Sequence, residues 1–456
     1  LCTGGEMCSN LFGFPKFYLY IGQDYSIMMY AQRWVKGVTR EMKKIFMIGL
    51  LFISTLFLFA CGSRKSVGNT KAPVVTKTPE ESGKTTVAAV DVSDTEAFNM
   101  AEELVKNMSL EEKVGQMFLV SLSKLDDPRG QATVYEVSDE MLEKIRQYHI
   151  GGVILGQQNI KNQRQTRMLT DRLQSAVSGA PLYVAVEEDG GGDYSVSAAC
   201  PELKAGGYMV PEEMGRNMTS LQVYQKGLGI GNELRSFGIN MVLGPVADVA
   251  YDGNKKYGSR CFSSDPDTAA EMTANMVKGY TEAGVAATMR YFPGNGMVSG
   301  DTTLDIQENK ETLMQLRDNE FSVYSDGMDA GAGCIMVSNV YMKKLVKDKV
   351  PAFMSQEIVT KLLRDELGFD KVVLTSSLSE DAVTKNFSQD YAIVEAVNAG
   401  CDVICQPQRL EEAYQILMNA VRTGNIDEKV INTAVCRILT NKITGGVLVL
   451  NNNEMQ

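Results

Sequence analysis

Histidine is almost missing: His149 is the only imidazole in 456 residues. That scarcity removes most zinc chemistry, and every Ser-His or Cys-His mechanism in which His149 takes no part. Cysteine patterning is missing too. The nine cysteines, at positions 2, 8, 61, 200, 261, 334, 401, 405 and 436, contain no C-x-x-C pair and are odd in number, so no metal or disulfide framework is expected. Most stand inside apolar runs such as "GCIMV" and "GCDVIC", where a free thiol packs as a small hydrophobe. Basic charge is also short. The net charge of −11 argues against a nucleic-acid partner, which usually requires a basic face.

What is present suits a globular protein. Hydrophobic residues make up 44% and charged residues 22%, an ordinary balance for a chain with a real core. The length allows one large domain with extensions, or two domains.

The N-terminal region reads as an address. "MKKIFMIGLLFISTLFLFACGS" starts at Met42 with a basic pair, Lys43 and Lys44, followed by an apolar run from Ile45 to Ala60. That run is shorter than the roughly 20 residues of a membrane span but suits a secretory signal over 42–60. "LFAC" before Gly62 resembles the bacterial lipoprotein box, which implies that Cys61 is the mature N-terminus and the lipid anchor. The other reading is an ordinary signal peptide with an incidental cysteine. Residues 1–41 show no sustained period and are expected to be translated upstream sequence. Residues 61–92 are rich in Lys, Thr, Ser, Gly and Pro, too polar to offset their ordering entropy, and read as a tether. Such a tether holds the remainder on the order of 30 Å from the lipid. The expected location is the bacterial cell envelope, on the extracytoplasmic face, with the membrane contacted through the lipid alone.

From residue 93 to 456 the chain reads as one α/β domain. Short apolar runs alternate with amphipathic stretches: "MFLV" (117), "GGVILG" (151), "LYVAVE" (182), "MVLGPVADV" (241), "VAATMRYF" (285), "CIMVSNV" (334), "KVVLTSS" (371) and "CDVICQ" (401). They are continuously apolar, as strands buried on both faces should be. The intervening helices have readable ends. Ser109 and Glu112 form a capping box, and Asp265, Pro266 and Gly284 delimit another helix. Met141, Leu142, Ile145 and Tyr148 share one helix face. This alternation predicts a (β/α)8 TIM-type barrel. An open doubly wound sheet is the alternative, but no Gly-rich phosphate loop follows any strand, and no cofactor is expected.

A barrel of this kind places its site at the C-terminal ends of the strands. The residues there are Glu187, Glu188 and Asp189; Asp248; Arg290 and Tyr291; Asn339; Ser376 and Ser377; and Gln406. Asp301 and Thr303 lie in the loop after the fifth strand. Such a rim suits a polar ligand, and Tyr194 and Tyr251 are candidates to stack on a sugar face.

The segments "MSLEEKVGQM", "IGGVIL", "FGINMVLGPVADV", "GSRCFSSDP", "AGVAATMRYFPGNG", "LLRDELGF" and "AVNAGCDV" resemble glycoside hydrolase family 3 in order and spacing. The likeness is greatest to the bacterial single-domain β-N-acetylglucosaminidases. It implies a barrel acting on O-glycosyl bonds of amino sugars, but the catalytic pattern is altered. The family's Asp-Gln-Glu-Gly-Gly-Arg reads "EEDGGG", so the sugar-binding aspartate falls on Glu187 and the arginine on Gly192. The arginine of Arg-Ser-Phe is kept as Arg260. Lys-His-Phe-Pro-Gly-His-Gly reads "RYFPGNG", with Arg290 keeping the charge and Tyr291 and Asn295 replacing histidines. The acid/base histidine falls on Thr303, beside its supporting Asp301, and the nucleophilic aspartate falls on Ser376.

These losses matter chemically. A neutral serine supplies no field for an oxocarbenium-like transition state, and a threonine moves no proton near pH 7. Losing groups that act as a unit costs on the order of 10⁴ to 10⁶ in rate. The expected protein is a glycan- or partner-binding pseudoenzyme using Glu187, Arg260, Arg290, Tyr291 and Asp248. Two alternatives are a glycosidase with substitute carboxylates, Asp189 or Asp193 with Asp301, and a structural barrel with a closed site. Each charged rim residue also has a plain structural reading: Asp248 and Asp301 as caps of loop amides, Arg260 and Arg290 as partners of nearby carboxylates.

Overall fold

The computed structural model describes residues 93–449 apart from 128, 131, 191–194, 205–208 and 255. The signal over 42–60, Cys61, the tether, and Gly192, Asp193 and Tyr194 lie outside the described residues. Among the described residues, no helix is long and apolar enough to cross a membrane.

Eight parallel strands form the barrel wall: β1 Phe118–Ser121, β2 Gly152–Leu155, β3 Tyr183–Glu187, β4 Met241–Leu243, β5 Ala286–Phe292, β7 Cys334–Val337, β9 Val372–Thr375 and β10 Ile404–Cys405. The short β6, Glu308–Asn309, pairs in parallel with β8, Tyr341–Met342, outside the barrel. The wall runs β10-β1-β2-β3-β4-β5-β7-β9, and a parallel bridge from Leu374 to Val403 joins its two ends. That bridge excludes the open doubly wound alternative. Strands such as "GVIL" and "VVLT" are buried at every position, because one face fills the barrel and the other receives helices. Each fully buried Val, Leu or Ile there contributes about 1.5–3 kcal/mol.

The helices begin where local chemistry satisfies their free amide groups. Ser109 and Glu112 form the reciprocal capping box of the helix Leu110–Gln116. Asp265 caps Pro266–Glu282 by accepting from the Thr268 amide, and Gly284 follows it with φ +73°. Met141, Leu142 and Ile145 are buried on one face of Asp139–Tyr148, and Tyr148 meets Tyr414 edge-on.

The fourth strand is shorter than its apolar run. It ends at Leu243, since Pro245 two residues on has no N–H to give the ladder. Pairing resumes where Val246 bridges to Arg290 and the Ala247 amide donates to the Arg290 carbonyl at 2.6 Å. This arrangement points Asp248 inward at the barrel's C-terminal mouth. The ribbon of β6 and β8 ties the loop after β5 to the chain after β7. Its two-residue strands are too short to carry a sequence period.

Candidate functional site

The site is assembled from chain segments leaving β3, β4, β5, β7 and β9. Glu187 ends β3 with its carboxylate half exposed. The chain then turns inward. The buried Glu188 accepts from the amides of Gly190 at 3.1 Å and Ser197 at 3.0 Å, which makes it a staple of its own loop. Asp189 is buried between two arginines, accepting from Arg260 Nε at 2.9 Å and Arg290 Nη2 at 2.8 Å. Burial pushes its carboxyl upward, but the two guanidiniums outweigh burial and hold it below the usual range.

Arg290 is fully buried on β5. Its Nη1 lies 3.5 Å from the Glu187 carboxylate, and among the described residues neither Nη1 nor Nε has a hydrogen-bond acceptor. Arg260 Nη2 donates to Tyr291 Oη at 3.3 Å, and the Arg290 guanidinium stands 5.2 Å from the Tyr291 ring centre. Tyr257 packs edge-on against Tyr291 at 5.6 Å. Glu187, Asp189, Arg260, Arg290 and Tyr291 therefore form one network, with Glu187 and Tyr291 its more open members.

Asp248 is buried beneath it. Its Oδ1 accepts from the Tyr291 amide at 3.3 Å, and among the described residues Oδ2 has no partner. Burial pushes this carboxyl up to about 7. Beside it lies Glu320, also buried, whose Oε2 accepts from the Val249 amide at 3.1 Å. Burial and the Asp248 charge push Glu320 well above the carboxylate range. Nothing in the sequence marks Glu320. A glutamate opening a helix ordinarily faces water and favours the helix dipole.

Thr303, the expected counterpart of the family's acid/base histidine, lies in a closed set of hydrogen bonds. Asp301 accepts from the Thr303 amide at 2.8 Å and the Thr303 hydroxyl at 2.6 Å. Lys256 Nζ donates to Asp301 and also to Thr303 Oγ1. Burial raises the Asp301 carboxyl, but Lys256 and Thr303 outweigh it, so Asp301 stays ionised. Ser376, the expected counterpart of the family's nucleophilic aspartate, is buried, and its hydroxyl donates to the Val337 carbonyl at 2.9 Å. Ser377 is only partly buried and accepts from the Ser379 amide at 3.3 Å. Gln406, after β10, accepts at its carbonyl from Ser379 Oγ at 2.6 Å.

Glu380 joins this mouth although it escaped the sequence reading. Its carboxyl accepts from Asn339 Nδ2 at 2.6 Å. The same amide group donates to the Thr302 carbonyl at 2.8 Å, and the Ala382 amide bonds the Thr303 carbonyl at 3.0 Å. Burial, then the nearby Glu187 charge, pushes Glu380 up to about 7, against the pull of Lys256. In sequence it is one more polar residue before a four-residue helix, Asp381–Thr384.

Several residues fall outside the chemistry. Tyr251 donates to Glu311 at 3.2 Å and accepts from Asn319 at 3.0 Å, so its hydroxyl is held among polar side chains. Asn295 accepts from Ser338 Oγ and fastens its loop. His149 is the left-handed C-cap of the helix before β2, at the N-terminal end of the barrel. The only imidazole is therefore at the end of the barrel opposite the site. Cys200, Cys261, Cys334, Cys401, Cys405 and Cys436 are buried and unbridged.

A closed parallel barrel gathers carboxylates, arginines and a tyrosine at its C-terminal mouth, an arrangement suited to polar ligands. The chain belongs to glycoside hydrolase family 3: the sequence profile described as Glycosyl hydrolase family 3 N terminal domain matches residues 109–441. It is similar to Beta-hexosaminidase A of Pseudoalteromonas piscicida, 27% identical over 333 residues, which covers 68% of this chain and 56% of that protein. It is similar also to a Beta-hexosaminidase of Methylobacillus flagellatus, 29% identical over 287 residues, covering 62% of this chain and 81% of the relative. A solved family 3 beta-N-acetylglucosaminidase from Paenibacillus sp. aligns with a TM-score of 0.67 at 27% identity, over 76% of this chain and 65% of that one. The chain thus spans little more than half the length of the Pseudoalteromonas relative and about two thirds of the Paenibacillus one.

Proposed function

We propose that this protein binds amino-sugar glycans at the barrel mouth and does not perform the double-displacement hydrolysis that its family resemblance implies. One observation carries the reading: Ser376, where that resemblance places a nucleophilic carboxylate, is a buried hydroxyl committed to the Val337 carbonyl. It is neutral, and the only histidine is at the far end of the barrel. Thr303 is bonded to Asp301 and Lys256 and has no titratable proton near neutrality.

Two of the candidate substitute carboxylates are already paired. Asp189 is neutralised between Arg260 and Arg290, and Asp301 between Lys256 and Thr303. Asp193 lies outside the described residues. What supports binding is the half-exposed Glu187 carboxylate, which is free to accept from sugar hydroxyls while the buried Arg290, 3.5 Å away, holds it in place. The glycan class rests on the named relatives, which are hexosaminidases and a β-N-acetylglucosaminidase. A lipid anchor at Cys61 belongs to the same proposal and places the mouth outside the cytoplasmic membrane.

The test is release of chromophore from an aryl β-N-acetylglucosaminide by the full chain, with Ser376→Asp/Thr303→His in parallel. The expected result is no turnover by the natural protein, together with calorimetric binding of N,N′-diacetylchitobiose. Glu187→Gln weakens that binding about 10- to 100-fold, the worth of one charge-assisted hydrogen bond. Turnover by the natural protein overturns the reading. Arg260 is a poorer probe, since its loss leaves Asp189 buried with one partner fewer.

A further inference from the structure

Glu380 has no role in the inherited pattern, yet it stands where a ligand would meet it. It follows β9 in the segment that carries Ser376, and it adjoins the loop that carries Thr303 through Asn339 and the Ala382 amide. Asn339 occupies Oε2. Among the described residues no hydrogen bond to Oε1 is recorded, and the residue is only partly buried.

The groups around Glu380 come from every neighbouring segment. Glu187 faces it from the end of β3, Lys256 and Tyr257 from the chain after β4, and Asp301 from the loop after β5. Lys124, from the helix Leu122–Asp126, bonds the neighbouring Ser379, and Asp381 follows on its own segment, paired with Lys385. Lys256, the nearest cation, is already bonded to Asp301. Burial first, and then two carboxylates set against one engaged lysine, disfavour a further negative charge, so the carboxyl retains its proton to near neutrality. A protonated carboxyl is a hydrogen-bond donor. It then offers the mouth a donor, which suits an acceptor-rich ligand better than a cationic one.

We propose that Glu380 is a ligand-contacting, specificity-determining residue of this site, donating a hydrogen bond from its neutral carboxyl to an acceptor oxygen of a bound N-acetylated sugar. The inference rests on the glycan-binding reading and adds to it a residue, a protonation state and a direction of pH dependence. Binding is stronger below neutrality, where the proton is present, and fades as pH rises and a carboxylate replaces the donor. Asp248 also titrates near neutrality beneath the same mouth, so the profile of the natural protein does not by itself assign the proton. The amide of Glu380→Gln does, because it donates without titrating.

The experiment is calorimetric titration of N,N′-diacetylchitobiose into the full chain at several pH values from about 5.5 to 8.5, spanning the carboxyl's transition. The natural protein is expected to lose affinity by up to about tenfold per pH unit above neutrality, the limit for one linked proton. Glu380→Gln keeps the low-pH affinity and loses the slope, whereas Glu380→Ala binds about tenfold more weakly at low pH. A flat profile in the natural protein, or an unchanged slope in Glu380→Gln, overturns the assignment and leaves the glycan site standing. No binding at any pH overturns the glycan site and this inference together.

Discussion

Two buried carboxyls, Asp248 and Glu320, lie against each other with one oxygen apiece unpartnered among the described residues. Both titrate above their ordinary values because burial disfavours the charge, with the Asp248 charge adding to this at Glu320 and the Glu311 charge at Asp248. The folded protein therefore binds protons that the unfolded chain has released. Stability from this pair is fully present below about pH 4, where unfolded carboxyls are protonated, and is lost as pH rises through neutrality. Urea unfolding from pH 5 to 8 is expected to show falling stability, at most about 1.4 kcal/mol per pH unit for each proton. Glu320→Gln should flatten that slope, and an unchanged slope would place the proton elsewhere. Residue identity alone did not reveal this. Glu187, Asp248 and Arg290 were legible because they stand at or just past apolar strand runs, and Arg260 and Asp301 because they lie in segments that resemble the family. Glu320, Lys256 and Glu380 lie outside those segments, and only the fold gives them their character.

At the level of elements, the strand and helix boundaries follow from local chemistry that a sequence displays. Apolar runs, Ser109 with Glu112, and Asp265 with Pro266 each act within a few residues of themselves. Closeness between elements is another matter. Gly151, just before β2, lies so near the chain before β1 that an added Cβ would stand 2.0 Å from the Gln116 carbonyl oxygen. Backbone cannot retreat as a flexible side chain does. Gly151→Ala is therefore expected to destabilise the protein by about 3 kcal/mol through overpacking, read as a lower urea midpoint with an unchanged slope. A variant as stable as the natural protein would mean that β1 and β2 separate freely. The ribbon of β6 and β8 likewise exists only because two distant loops meet over the mouth.

Across the whole molecule, the last helix, Glu428–Thr444, closes the N-terminal end of the barrel. Its Lys442 is fully buried, donating to Gln116 Oε1 at 2.9 Å and the Gly151 carbonyl at 3.0 Å, with its ammonium 4.8 Å from the Tyr183 ring centre. Burial pulls this amine down to about 7. The unfolded chain thus binds the extra proton between about pH 7 and 10.4, and stability rises with pH across that window. Lys442→Met is expected to abolish that rise in urea unfolding, and an undiminished rise would refute the assignment. The sign is opposite to that of Asp248 and Glu320, so the two ends of one barrel respond to pH in opposite directions.

The sequence by itself determined the alternation of elements and the barrel class. Each of these is a matter of residue type at a local spacing. Only the tertiary structure decided which charged groups are spent on each other and which remain for a ligand. Asp189 is neutralised because β3, the chain after β4 and β5 bring it between Arg260 and Arg290. Glu380 keeps its proton because the closed barrel buries it and sets the Glu187 charge beside it. Charge interactions and desolvation depend on distance and burial, and a linear chain specifies neither until it has closed into a barrel.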